Sequence, residues 1–393
     1  MMPHLFVYGI IKHNVTKGRR GMTNRAAMDE VTFLNFYRES VSCYSKRAKR
    51  KICSALEKDG KITFESQMSI QTAGNSPIYF EKADVDAIIS KTTMTPDFMG
   101  FFEEWEYTKL YKYSVPVFFE TEKEIEGSLK NIGIKKFEKN SFSTDYILKT
   151  LLLDADPMWY ESGGKYFVKF VLQKSCFQGD DYEQIDYRYP IVIYIDKNIG
   201  VLEVRYDAVK YSAQQTESNI YANLVSTCLK WLVEKLEFKL FLCEHANTID
   251  VINDKSDSSV RMYRQMMALK SGGSAELKAA ESRDAVLPFV GELRELIEEN
   301  VDLFNNEAKG VIEKYLNDIE LTASYPYIYI KWENAVESQS YIVKITFDYL
   351  NQKYTLLQHL TGTCSDIGME RMNNAIKYLC ESSSFTKGEE IKY

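Results

Sequence analysis

The sequence predicts an α+β protein. Two runs, at about 165–206 and 325–360, are rich in Val, Ile, Tyr and Phe and are punctuated by turn residues, as antiparallel meanders are. Segments with apolar residues every three or four positions lie before, between and after them, as amphipathic helices do. The composition is that of a globular chain: 393 residues, 45% hydrophobic and 27% charged, with 19 Gly and 8 Pro, which excludes collagen, low-complexity polymers and small disulfide scaffolds. At roughly 150 residues per domain, two or three domains are expected. The divisions read from texture are an N-terminal α+β region with a basic helix over 1–160 and a β-meander plus long helix over 161–252. A linker over 253–284 follows, then a helix, a second meander and a C-terminal helix over 285–393.

Each element has its own signal. Residues 5–11 read as a strand, and the two glycines around Arg19 and Arg20 in 13–25 read as a loop. Val31, Leu34, Tyr37, Val41, Tyr44, Ala48, Ile52 and Leu56 recur at helical spacing, which predicts one long helix that Asp59-Gly60 stops. A strand is expected over 61–70. Thr95-Pro96-Asp97 starts a second helix, because a hydroxyl caps and Pro fits the first turn. An extended segment over 114–120 and two charged helices over 121–153 follow. The first meander comprises 166–177, 188–196 and 199–206, turned by Asp196-Lys197-Asn198-Ile199-Gly200, and its helix is expected over 214–239. Polar 254–259 and Ser271-Gly272-Gly273-Ser274 mark the linker, with a short helix over 260–269 between them. A helix over 287–317, the second meander and a helix over 367–379 complete the chain, ahead of a polar tail. Three aromatic strands followed by a helix thus occur twice, without matching residues.

The seven cysteines are odd in number, scattered and without a C-x-x-C, which predicts reduced thiols rather than a disulfide framework. The N-terminal segment lacks a basic stretch and a cleavage site, and no run of about 18 uncharged apolar residues occurs, so neither a signal peptide nor a membrane helix is expected. The expected location is cytoplasmic. Charge is segregated: residues 1–62 hold 13 Lys/Arg against 5 Asp/Glu, and the remaining 331 residues hold 36 against 51. Such a contrast marks either a surface for phosphates or acidic partners, or docking of the basic part on the acidic rest.

Motifs for known chemistries are missing: there is no P-loop, no G-x-G-x-x-G, no H-E-x-x-H and no G-x-S-x-G. Four histidines leave few options for a triad or a metal site. Cys243-Glu244-His245, Asp154/Asp156 and His359 near Cys364 read most simply as core thiols and turn residues, and Glu103-Glu104 and Glu298-Glu299 as solvated helix faces. No catalytic residue, metal or cofactor is assigned. The sharpest enzymatic alternative is the hairpin of Asp196, Glu203 and Arg205. Metal-dependent nucleases of the PD-(D/E)xK type hold a cation between such carboxylates, but Arg205 stays protonated where those enzymes use Lys. An ion pair on a solvated strand face is the simpler reading.

The remaining signal is basic. Lys46, Arg47, Lys49, Arg50 and Lys51 fall within six residues of the first helix, and Arg19 and Arg20 precede it. Arg and Lys neutralise phosphates, and glycine lets a backbone approach closely. The sheet tyrosines, in sets Tyr187, Tyr189, Tyr194 and Tyr206 or Tyr325, Tyr327 and Tyr329, offer faces for stacking or for a partner. The expectation is a non-catalytic binding or assembly protein whose partner is a nucleic acid or an acidic protein surface. A protein partner or a homo-oligomer is expected, and no membrane. The texture, rich in Lys, Ile, Tyr and Asn and free of housekeeping-enzyme motifs, resembles an accessory bacterial gene such as a subunit of a phage-defence or mobile-element cassette.

Overall fold

A computed structural model describes residues 30–64, 77–82, 84–93, 96–138, 157–178, 183–209, 219–245, 248–254, 259–268, 274–278, 293, 296–322, 324–336, 339–349, 353–360 and 368–393. In chain order the elements are α1 (Glu30–Ser42), α2 (Lys46–Lys58), β1 (Ile62–Thr63), β2 (Ile78–Tyr79), α3 (Val85–Thr92), α4 (Pro96–Thr108), β3 (Tyr113–Glu120), α5 (Ile125–Asn131) and β4 (Lys135–Lys136). Then come β5 (Met158–Ser162), β6 (Lys165–Gln178), β7 (Glu183–Asp196), β8 (Val201–Tyr206), α6 (Ile220–Leu236), β9 (Lys239–Glu244) and α7 (Thr248–Asp254). The C-terminal part holds β10 (Val260–Ala268), β11 (Ser274–Lys278), α8 (Asn306–Thr322), β12 (Ser324–Val336), β13 (Gln339–Tyr349), β14 (Tyr354–Leu360), α9 (Glu370–Glu381) and β15 (Thr386–Glu390). The class is α+β, with a large, mostly antiparallel sheet.

Both meanders join that one sheet, in the order β11-β10-β12-β13-β14-β3-β8-β7-β6-β5-β4. The hinge of the arrangement is β3. One edge pairs with β8 over Tyr113–Phe118, while the other is shared by β14 at Tyr113 and Ser114 and by β9 from Phe118 to Glu120. Pro116 lies where the second edge changes partner, and its missing donor costs nothing there. Its carbonyl accepts from Cys243 Sγ at 3.4 Å.

Helix α6 covers one face of the central strands with Ile220, Leu224, Val225, Cys228, Leu229, Trp231, Leu232 and Leu236, all buried. Helix α9 contributes Met372, Ala375, Ile376 and Leu379 to a second core with Ile328, Ile330, Trp332, Val343 and Ile345. A third core joins α1–α4 through Tyr37, Val41, Ile52, Leu56, Ile88, Ile89, Phe98 and Phe102. With both faces covered, every residue of β8 is buried, charged ones included. No described helix is long and apolar enough to cross a membrane.

Several expectations change. The long first helix is two helices: the chain breaks at Cys43–Ser45, and Ser45 caps α2 by accepting from the Ala48 N–H at 3.2 Å. Residues 260–268, expected as a helix inside a linker, are a strand between β11 and β12. A bulge between Met262 and Arg264 shifts the alternation midway, so the two-residue period never runs long enough to show in the sequence. The polar tail supplies β15, which pairs with β9. In 121–153, α5 is followed by the short β4 rather than by a second described helix. Tyr187, Tyr189 and Tyr206 share the face under α6, but Tyr194, an odd number of residues along the same strand from Tyr187 and Tyr189, lies on the opposite one. The segments 5–11 and 13–25, with Arg19 and Arg20, as well as Asp154, Asp156 and Cys364, lie outside the described residues.

Candidate nucleic-acid interface

The break after α1 splits the basic run into three directions. Arg47 and Lys51 are one helical turn apart on the flank of α2 that carries Ala48, and all three line a cavity of about 640 Å³. Lys46 and Arg50 are exposed on the next flank. Lys49 turns the other way and pairs with Asp86 of α3 at 3.1 Å. The five cations expected to act together are thus two on a cavity, two on the open surface and one in an ion pair within the chain.

The cavity is closed on other sides by the segment 109–112 between α4 and β3, by Tyr187–Pro190 of β7, by Asp207 and Ala208 after β8, and by His359 of β14. Its lining thus holds five basic residues, Arg47, Lys51, Lys109, Lys112 and Arg188, and one acidic residue, Asp207. Asp207 is held in place, since Oδ1 accepts the Lys112 backbone N–H at 3.1 Å and Oδ2 takes the Lys109 ammonium. The Lys109 Nζ also lies 3.8 Å from the Tyr111 ring centroid, 5.6 Å from that of Tyr44 and 5.9 Å from that of Trp105. Burial, then the Glu106 and Asp207 carboxylates, push the Tyr44 phenol well above its usual range, so it stays protonated.

His359 of β14 also lines the cavity. Its Nε2 is buried with no hydrogen-bond partner among the described residues. Burial, with the positive charges of Arg371, Lys51 and Arg47, pushes its pKa down to about 4, so the ring is neutral at physiological pH.

Beneath the cavity is a buried charge network that the sequence does not announce. Glu103 and Glu106 stand one turn apart on α4, and Lys169 of β6 and Arg188 of β7 meet them from the sheet. Arg188 reaches Glu103 at 2.5 Å and Glu106 at 2.8 Å; Lys169 reaches Glu106 at 3.1 Å and also pairs with Glu103. Tyr37 of α1 donates to Glu103, and the Arg188 backbone N–H donates to Ser40 Oγ at 2.9 Å. Burial pushes the Glu106 carboxyl up, but Arg188 and Lys169 prevail and hold it below the usual range. Of the pair read from sequence as solvated, Glu103 is fully buried and Glu104 half-buried; Glu298 and Glu299 are exposed, as expected. The network pins α1 and α4 to the sheet and so fixes the cavity floor.

The nuclease-like hairpin is placed differently from a solvated face. Glu203 accepts two bonds from Arg205, at 2.9 and 2.7 Å, and one from Ser114 Oγ at 2.6 Å. Arg205 also donates to Asn373 Oδ1 of α9 at 2.5 Å and lies 3.8 Å from the Tyr194 ring centroid. Both side chains are buried. Asp196 caps its turn by accepting from the Asn198 N–H at 3.0 Å and pairs with Lys165. Among the described residues no three His, Cys, Asp or Glu side chains converge as metal ligands. Cys243 is buried, and the neighbouring His245 stacks on Phe347 at 4.0 Å.

No protein-family model matches the sequence, and no curated protein matches it.

Proposed function

We propose that the protein is a non-catalytic binding protein that grips a polyanion, a nucleic-acid strand, through α2 and the cavity beside it. One observation carries the reading: Arg47 and Lys51 of α2 and Lys112 bring cations to a single cavity whose described lining offers one carboxylate, Asp207, already engaged by Lys109, while Arg188 is spent on Glu103 and Glu106 beneath. Such a cluster attracts phosphates and places them next to Lys46 and Arg50, which extend the positive surface outward. Arg19 and Arg20 add charge from the same end of the chain. The wider setting, an assembly of a bacterial defence or mobile-element system working inside the cell with a protein partner or further copies of itself, rests on the texture of the sequence.

The test is binding of a fluorescent single-stranded oligonucleotide across a salt series. Each lost phosphate contact lowers the slope of log K against log salt by roughly 0.7–0.9. Replacing Lys46, Arg47, Arg50 and Lys51 with Ala is expected to weaken binding and flatten that slope by about 3. Binding that keeps its slope in this variant would show that the strand lies elsewhere.

A further inference from the structure

We propose that the cavity beside α2 is a single-nucleotide site, taking a nucleoside phosphate with its phosphate at Arg47 and Lys51 and its base against Trp105 and Tyr44. The inference rests on the polyanion reading for its phosphate end and goes beyond it by assigning a base. Two features of the cavity bear on its size and its phosphate end. Its volume, about 640 Å³, falls among small-ligand sites, roughly 300–1,000 Å³. Its α2 side presents two cations one turn apart at the N-terminal half of a 13-residue helix, which adds its own positive end.

Another part of the lining is aromatic and amphipathic. Trp105 and Tyr44 form it, half-buried, and are held edge to face at 6.0 Å. The Trp105 ring is braced from behind by Phe102 at 5.6 Å, so it is a fixed surface for a planar ring. The Asp207 carboxylate keeps part of its surface open, at 29% side-chain exposure, and supplies an acceptor for the exocyclic amine or ring N–H of a base. A bare phosphate leaves the aromatic side unused, and an uncharged aromatic leaves the cations unused. A nucleotide, free or unstacked from a single strand, uses both.

Ala48 provides the test, because it lines the cavity between Arg47 and Lys51 without carrying charge. Ala48→Leu fills the space, keeps every cation and retains a good helix former. The measurement is calorimetric titration of the full chain and of this variant with nucleoside 5′-monophosphates, ribose 5-phosphate and inorganic phosphate, with thermal melting to confirm folding. The expected result is nucleotide binding at least about tenfold tighter than ribose 5-phosphate or phosphate, and lost at least about tenfold in Ala48→Leu. Trp105→Phe, which keeps a ring in the same packing, should weaken nucleotide binding but not phosphate binding. Displacement of the nucleotide by a single-stranded oligonucleotide identifies the source as a strand; retention identifies a free nucleotide. Equal binding of nucleotide and phosphate, no nucleotide binding, or wild-type binding by Ala48→Leu overturns the site. The two readings fail separately. Salt-sensitive strand binding that Ala48→Leu leaves untouched would keep the polyanion grip and remove the base pocket. Nucleotide binding without strand binding would do the reverse.

Discussion

His359 is the residue whose chemistry most directly senses the basic cluster. Its folded pKa, about 4, lies below the ordinary value of 6.5, so the unfolded chain binds the proton more readily. Its contribution is therefore fully present above about pH 6.5 and is lost as pH falls towards 4, amounting to about 3 kcal/mol at most. Replacing Arg47 and Lys51 with Ala should raise the His359 pKa measured by NMR, and an anion bound beside them should raise it too. An unmoved titration would mean that these cations do not face the ring. The buried quartet gives a second residue-scale prediction. Glu103→Gln strands part of the positive charge of Lys169 and Arg188 in the interior, at a cost of about 3–5 kcal/mol read by urea denaturation. The lowered Glu106 carboxyl acts in the same direction as His359 on acidification. Its stabilisation is present above the unfolded value near 4.3 and is lost as pH falls through the lower folded one.

At the scale of elements, α2 decides which cations matter. Lys49 is engaged with Asp86 and should contribute little to strand binding, whereas Arg47 and Lys51 face the cavity. Lys49→Ala is therefore expected to leave the salt slope nearly unchanged, while Arg47→Ala with Lys51→Ala lowers it by roughly 1.5. Equal losses from the two variants would return the run to an undivided basic face. The meanders and α6 were legible because long aromatic and β-branched runs, and apolar residues such as Leu224, Cys228, Trp231 and Leu232, hold one period throughout. The break between α1 and α2 was not, since Tyr44 and Ala48 continue the helical stripe straight across the cap at Ser45. Strand β10 was hidden by its bulge. The α2 cations stood out as a run, but the partners that make a cavity of them, Arg188 and His359 among others, come from strands far along the chain, and local spacing carries no such information. Glu103 looked solvated for the same reason: its partners Lys169 and Arg188 are 66 and more residues away.

Across the whole molecule, β3 ties both meanders into one sheet, and the quartet ties the N-terminal helices to it. Trp159 reports on one core and Trp332 on another. Unfolding followed by variants that keep either tryptophan as the main reporter should show coincident midpoints. Two separated transitions would mean that the halves fold independently despite the shared strand. The charge contrast between residues 1–62 and the rest is partly spent inside the molecule, as at Lys49 and Asp86, and partly displayed around the cavity.

The most direct measurement is single-strand binding at two salt concentrations by the intact protein and by the variant with Lys46, Arg47, Arg50 and Lys51 replaced by Ala. The account predicts binding that weakens steeply with salt in the first and is largely lost, with a flattened slope, in the second. No binding at low salt, or equal binding by both proteins, would contradict it.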